Sequence, residues 1–361
     1  MSAEDAMIQR ARKAAMPLDA PALFDEADAY DGDPTQPDLE APTPVRLIAT
    51  LTRPDRELRV VRLVQQAHDI YNDALAVHLE GHSLVASCLL FSGGNDSTTL
   101  GHLFKDRVSH VIHANTTIGI QETRQFVRDT CAHWGLPLLE KTPRKGTQYR
   151  DLVLGKVMAR SRETGEMVQA FAAGFPGPAA HYIYYQRLKE KCLEQARREL
   201  VLDPRKERIL FVAGRRRQES ARRSAVFNGK AAVPLNERRG STIWASPLCM
   251  WTSLDMNTYR LMHPDVPRNV VNDTLHMSGE CLCGSMAHPG ELDEIGYWFP
   301  EMKAEIKALE VEVKAAGVLP PYDKWGHGQG KPSEAGPMCS SCDARFIPGQ
   351  TDLLDALGGA A

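Results

Sequence analysis

The chain has 361 residues, 43 % hydrophobic and 25 % charged, with a net charge of −3. These values describe an ordinary water-borne globular chain with ample core, and offer no overall basic character to hold nucleic acid. No apolar run approaches the roughly 20 residues of a membrane span, and Met1 to Met16 lack a secretory apolar stretch, so a reducing cytoplasm is the expected compartment.

Residues 1–44 are rich in Pro and Asp (Pro17, Pro21, Pro34, Pro37, Asp25, Asp28, Asp31, Asp33) and are expected to form a disordered acidic arm. A helix is predicted from a cap near Asp55, through Val60, Leu63, Val64, Ala67, Ile70, Tyr71 and Ala74, to a stop at Gly81. A buried strand follows, Leu84 to Phe91. It runs into Ser92-Gly93-Gly94-Asn95-Asp96-Ser97-Thr98-Thr99, which opens a helix through Leu100, Leu103 and Phe104. A strand delivering bare N–H groups and hydroxyls to a helix N-terminus is a phosphate-binding device, and glycines let the anion approach. The lysine and glycine spacing of a Walker loop are missing.

Strands are predicted next at Val108 to His113, Leu136 to Glu140 and Arg208 to Ala213. Helices are predicted at Gln121 to His133, Tyr149 to Arg160 and His181 to Leu200. This alternation implies an α/β fold with a doubly wound, mainly parallel sheet and ligands at the strand ends. After the last of these strands comes Gly214-Arg215-Arg216-Arg217-Gln218-Glu219-Ser220-Ala221-Arg222-Arg223. Arginine forks at a helix start are electrostatically misplaced unless an anion joins them, and Glu219 can hold one in place. The domain is read as residues 45–275, followed by a cysteine-rich segment, 276–361. There, Cys281-Leu282-Cys283 and Cys339-Ser340-Ser341-Cys342 lie among turn residues and suit a four-thiolate metal site, with His276 and His288 as reserve ligands. Cys88, Cys131 and Cys192 read as core, and Cys249 is ambiguous.

Ser92-Gly93-Gly94-x-Asp96-Ser97 resembles the PP-loop of the ATP pyrophosphatase and PAPS-reductase-like superfamily, which implies an adenine nucleotide α-hydrolase type of fold. Four further segments resemble that branch in order. His113 to Thr123 is similar to its Asp-Thr-Gly…Pro-Glu-Thr, with Asn115 for the Asp and Thr117 for the Gly. Gly174-Phe175-Pro176 with Leu188-Lys189 is similar to its substrate segment. Gly214 to Arg223 matches Gly-x-Arg-x-x-Glu-Ser-x-x-Arg, and Pro247 to Tyr259 resembles Pro-Leu-x-x-Trp-x-x-x-Asp-Val-x-x-Tyr. The resemblance spans roughly Ser83 to Cys283.

An intact loop implies ATP cleavage to AMP and pyrophosphate, adenylating an acceptor in sulfur metabolism or nucleic-acid thiolation. It would place Ser92, Gly93, Gly94, Ser97 and Thr98 on the phosphates, and Asp96 on Mg²⁺ or the loop. Arg215, Arg222 and Lys189 would face the reacting charge. A 4Fe–4S cluster at Cys281, Cys283, Cys339 and Cys342 stands ahead of zinc. A sulfur-donor protein such as a cysteine desulfurase is an implied partner. The acceptor, whether a sulfur compound or nucleic acid, stays open, as does homo-oligomerisation. Two alternatives remain. One is a phosphoadenylyl- or adenylyl-sulfate reductase, although the Glu-Cys-Gly-Leu-His of such enzymes is replaced by Ser341-Cys342-Asp343-Ala344-Arg345. The other is a non-catalytic nucleotide-binding subunit whose arginines form a docking patch.

Overall fold

The computed structural model describes residues 30–327 apart from residues 31, 41, 162–163, 220–222, 224–225 and 228–229. A short helix α1 (Val45–Thr50) leads to the 26-residue α2 (Arg53–His78). The cap of α2 is Thr52, not Asp55. Pro54 sits in the first turn, where its missing N–H costs nothing, and Thr52 accepts from the Asp55 N–H. Then follow β1 (Ser83–Leu90), α3 (Asn95–Phe104), β2 (His110–Ala114), α4 (Gln121–His133) and β3 (Leu138–Lys141).

The helix expected over Tyr149 to Arg160 is one turn only, α5 (Tyr149–Val153). Gly155 takes a φ of +64°, which ends the helix, and β4 (Met158–Arg160) pairs with β5 (Met167–Gln169). The predicted His181 to Leu200 helix is continuous but wider at its centre. It runs as α6 (His181–Tyr185), one π-turn (Gln186–Glu190) and α7 (Lys191–Leu200). After β6 (Glu207–Val212) come the small hairpin β7 (Val226–Phe227) and β8 (Lys230–Ala231), then β9 (Asn236–Arg239) and β10 (Thr242–Ala245). The chain continues through α8 (Ser253–Met262), α9 (Val270–Leu275), α10 (Glu291–Trp298) and α11 (Pro300–Ala315).

The main sheet has the order β3-β2-β1-β6-β10-β9, parallel except for the edge strand β9. The chain moves outward from β1 to β3 and then returns to lay β6 on the other side of β1. The crevice beyond the ends of β1 and β6 is therefore the switch point where open α/β sheets take ligands. Leu89, Phe91, Val111, Leu210, Val212 and Trp251 lock this arrangement in a core under α2, α3 and α8. Each such side chain contributes roughly 1.5–3 kcal/mol of apolar burial. Among the described residues, no helix is long and apolar enough to cross a membrane.

Two expected boundaries look different in three dimensions. The described end of the acidic arm packs on α2. Arg59 donates to the Pro34 carbonyl at 2.9 Å and to Thr43 Oγ1 at 3.1 Å, and Thr43 is buried. Residues 1–29 lie outside the described residues. No seam follows residue 275, because one core joins Ile118, Tyr149 and Leu188 to Leu282, Ile295 and Trp325.

Candidate functional site

The Ser92 to Ser97 turn closes on itself. Gly93 has a φ of +74°, and a Cβ there would come within 2.9 Å of Thr123 Cγ2, so two constraints require glycine. Gly94 begins α3 without any side-chain cap, which leaves the first N–H groups of the helix free of a capping oxygen. Ser97 Oγ and Thr98 Oγ1 both donate to the Gly94 carbonyl, at 3.0 and 2.9 Å, and Ser92 Oγ lies 3.2 Å from Ser97 Oγ. The hydroxyls expected on phosphate are thus turned onto the loop.

Gly214 brings the second loop against the first, since a Cβ on it would meet the Asp96 carbonyl carbon at 3.3 Å. The three arginines that follow go three ways. Arg215 donates to Ser246 Oγ at 3.0 Å, pairs with Glu237 at 3.2 Å and lies over the Trp244 ring. Arg216 crosses to α3 and binds Asp96 Oδ2 through Nε at 2.7 Å. Arg217 is buried and donates to the Val233 carbonyl at 3.0 Å, a packing role. Glu219 accepts from the Arg216 N–H at 3.2 Å and pairs with Arg223, which satisfies the expectation that it holds an arginine. Arg222 lies outside the described residues.

Sequence reasoning therefore missed Arg216 as the residue facing the loop. The signal was present, because Gly-x-Arg counted from Gly214 lands on 216. The buried Nη1 of Arg216 and Nη2 of Arg215 find no hydrogen-bond partner among the described residues. Of the two, only Arg216 reaches the uncapped start of α3, through Asp96, so its unmet donor is the one placed where a bound anion could meet it.

Lys189 stands elsewhere, in a cavity of about 170 Å³ lined by His181, Tyr185, Cys281, Cys283 and Glu291. Burial pulls its ammonium down, but the negative charge carried by Cys281, Tyr185 and Glu280 when ionised outweighs that and holds it above its ordinary value. Cys283 Sγ lies 3.1 Å from Ser285 Oγ, which is 2.8 Å from His181 Nδ1. A hydrogen bond from the Cys281 thiol holds Cys283 well below the usual thiol range and pushes Cys281 up. The two thiols of this lining are the donors that suit a soft, thiolate-bound metal. Cys339 and Cys342 lie outside the described residues, and no group of three or more ligands is gathered among the described ones. Lys189 Nζ lies 6.0 Å from the centroid of the Tyr185 ring.

The thiol segment is strapped to the main sheet. Thr116 N–H donates to Glu280 Oε1 at 2.8 Å, and Leu282 N–H to the Ile118 carbonyl at 2.8 Å. His113 Nδ1 sits 2.8 Å from the Phe91 carbonyl and its Nε2 3.1 Å from Glu280 Oε2. Burial disfavours the His113 cation, but Glu280 reverses this and raises its pKa. Asn115 donates to Glu140 at 2.8 Å and so acts as a structural amide. Thr117 has a φ of +65°, a left-handed conformation costly for a β-branched residue, where the similar segments carry glycine.

Residues 86–273, just over half the chain, match the model of the phosphoadenosine phosphosulfate reductase domain. The chain belongs to this family. No curated protein matches it. Among solved structures it is similar to a phosphoadenylyl-sulfate (PAPS) reductase from Candida auris in a phosphate complex. That match has 14 % identity and a TM-score of 0.37, covering 62 % of this chain and 92 % of the other. The phosphoadenosine phosphosulfate reductase domain ends at α9, so Cys281 and Cys283 fall just beyond the matched region. Membership of the family supports an enzyme that uses an adenine nucleotide in sulfur metabolism.

Proposed function

We propose that the chain is an ATP-dependent adenylating enzyme that releases pyrophosphate. The observation that carries this reading is Asp96. It stands intact in the first turn of α3, paired with Arg216 at 2.7 Å. In this reading the N–H groups at the start of α3 hold the β and γ phosphates. Arg216, oriented by Asp96 and Glu219, meets charge on the transferring phosphate, with Arg215 and Arg223 behind it. Magnesium arrives with ATP, held largely by phosphate oxygens, and Asp96 is the nearby carboxylate. Cys281 and Cys283, with Cys339 and Cys342, would hold an iron–sulfur cluster or zinc, which supplies electron transfer or a structural pin. Lys189 beside the thiols faces the acceptor.

The test is pyrophosphate release from ATP and Mg²⁺ by the full chain, with and without candidate acceptors. Release lost in Asp96→Ala supports the reading, whereas failure to bind ATP ends it. A reductase is the second reading, favoured by two thiols sharing a cavity with Lys189. Sulfite release from an adenylylated sulfate with thioredoxin, and none of pyrophosphate from ATP, would select it.

A further inference from the structure

The Gly93 carbonyl accepts from two side-chain amides at once, Asn269 Nδ2 and Asn272 Nδ2, each at 2.9 Å. Both asparagines are almost fully buried. Their orientation is fixed rather than incidental. Asn269 Oδ1 accepts from the Val271 N–H at 3.0 Å, capping α9, which turns its Nδ2 toward the loop. That same Nδ2 donates to Thr123 Oγ1 at 3.1 Å, and Thr123 Oγ1 in turn donates to the Ser278 carbonyl at 2.5 Å.

A trans peptide points its C=O and the next N–H in opposite directions. Clamping the Gly93 carbonyl on the α9 side therefore turns the Gly94 N–H away from α9. There its one hydrogen bond among the described residues is a loose 3.4 Å approach to Ser92 Oγ. Glycines on both sides make this peptide free to rotate in isolation. Rotation would exchange a donor for a carbonyl lone pair at the start of α3, where an anion has to sit.

We propose that Asn269 and Asn272 are positioning residues of the phosphate loop: their paired amides lock the Gly93–Gly94 peptide with its N–H presented to a nucleotide phosphate. The inference rests on the nucleotide reading above and deepens it. Neither asparagine touches the nucleotide. α9 acts on phosphate only through the loop backbone.

Calorimetry on the full chain with ATP and with adenosine tests this. The variants are Asn272→Ala, Asn269→Ser and the two combined; serine keeps an oxygen to cap α9 while removing the amide donor. In the double variant ATP should bind at least about tenfold more weakly, from the loss of two buried hydrogen bonds. Adenosine, which has no phosphate, should keep its affinity within about twofold, so the preference for ATP collapses; a merely structural role would weaken both ligands alike. An undiminished preference for ATP in the double variant overturns the clamp and leaves the nucleotide reading standing. No preference for ATP in the unaltered protein overturns both. The single variants carry part of the effect each and keep the test readable if the double variant does not fold.

Discussion

Replacing Arg59 with methionine removes the cation from a fully buried ion pair. Arg59 Nε lies 2.8 Å from Asp255 Oδ1, with the two side chains 0 % and 1 % exposed. Asp255 Oδ2 also accepts from the Thr252 N–H at 2.9 Å, so this carboxylate starts α8. Methionine fills the space but leaves Asp255 buried and uncompensated, a loss of about 3–5 kcal/mol, far above the ~1 kcal/mol ceiling of an exposed pair. With an unfolding entropy of about 2.1 cal/mol/K per residue, roughly 300 ordered residues give about 0.6 kcal/mol per degree, so the melting midpoint should fall by about 5–8 °C. Thermal and urea unfolding of Arg59→Met, Asp255→Asn and the double variant supply the assay. Asp255→Asn placed on Arg59→Met should recover part of the loss, because no buried charge remains. A loss below about 1 kcal/mol in Arg59→Met would refute the reasoning, since the pair would then behave as if screened by water.

Arg216→Met should weaken ATP binding by about 10- to 150-fold, the worth of one charge-assisted hydrogen bond, while Arg215→Met, engaged with Glu237, changes it by less than about threefold; equal effects in calorimetry would remove the distinction between them. Burial raises the Glu291 carboxyl to about 7 against an ordinary 4.5, so between those pH values the native state holds a proton that the unfolded chain has released. Stability should therefore fall as pH rises from about 4.5 to 7, by on the order of 3 kcal/mol, and then level off. Glu291→Gln should flatten that limb of the urea-midpoint profile, and an unchanged slope would contradict the assignment. A Cβ at Gly119 would run into the Glu280 and Gly279 carbonyls, so Gly119→Ala should cost about 1–3 kcal/mol. It should also speed alkylation of Cys281 and Cys283 by loosening their segment. Wild-type alkylation rates in a stable variant would show that the strap is not rigid.

Much of the site is legible in the chain because its parts are local. A strand, a glycine turn and a helix start in immediate succession need no distant partner, so the loop at Ser92 to Ser97 could be read directly. The capping box at the start of α8 is local too, formed by the Thr252 hydroxyl and the Asp255 carboxylate three residues on. The division of labour among Arg215, Arg216 and Arg217 was not legible. The three side chains leave a loop that tightens into a 3-10 turn at Arg217–Glu219, and which neighbour each one meets depends on β9, α3 and the 233 loop. Asn269 and Asn272 carried no signal for a similar reason, since a short polar side chain acquires its role only from the carbonyl it reaches.

The sequence by itself determined the α/β alternation, the strand–glycine turn–helix corner at Ser92 to Ser97 and the family, because hydrophobic period, turn chemistry and motif order are written along the chain. Tertiary structure alone decided that β6 returns beside β1, which sets Gly214 against Asp96 and makes one site of two distant loops. It also placed Lys189 in the thiol cavity rather than at the Ser92 to Ser97 loop. Contacts across more than a hundred residues depend on strand order and packing, and no local pattern encodes them.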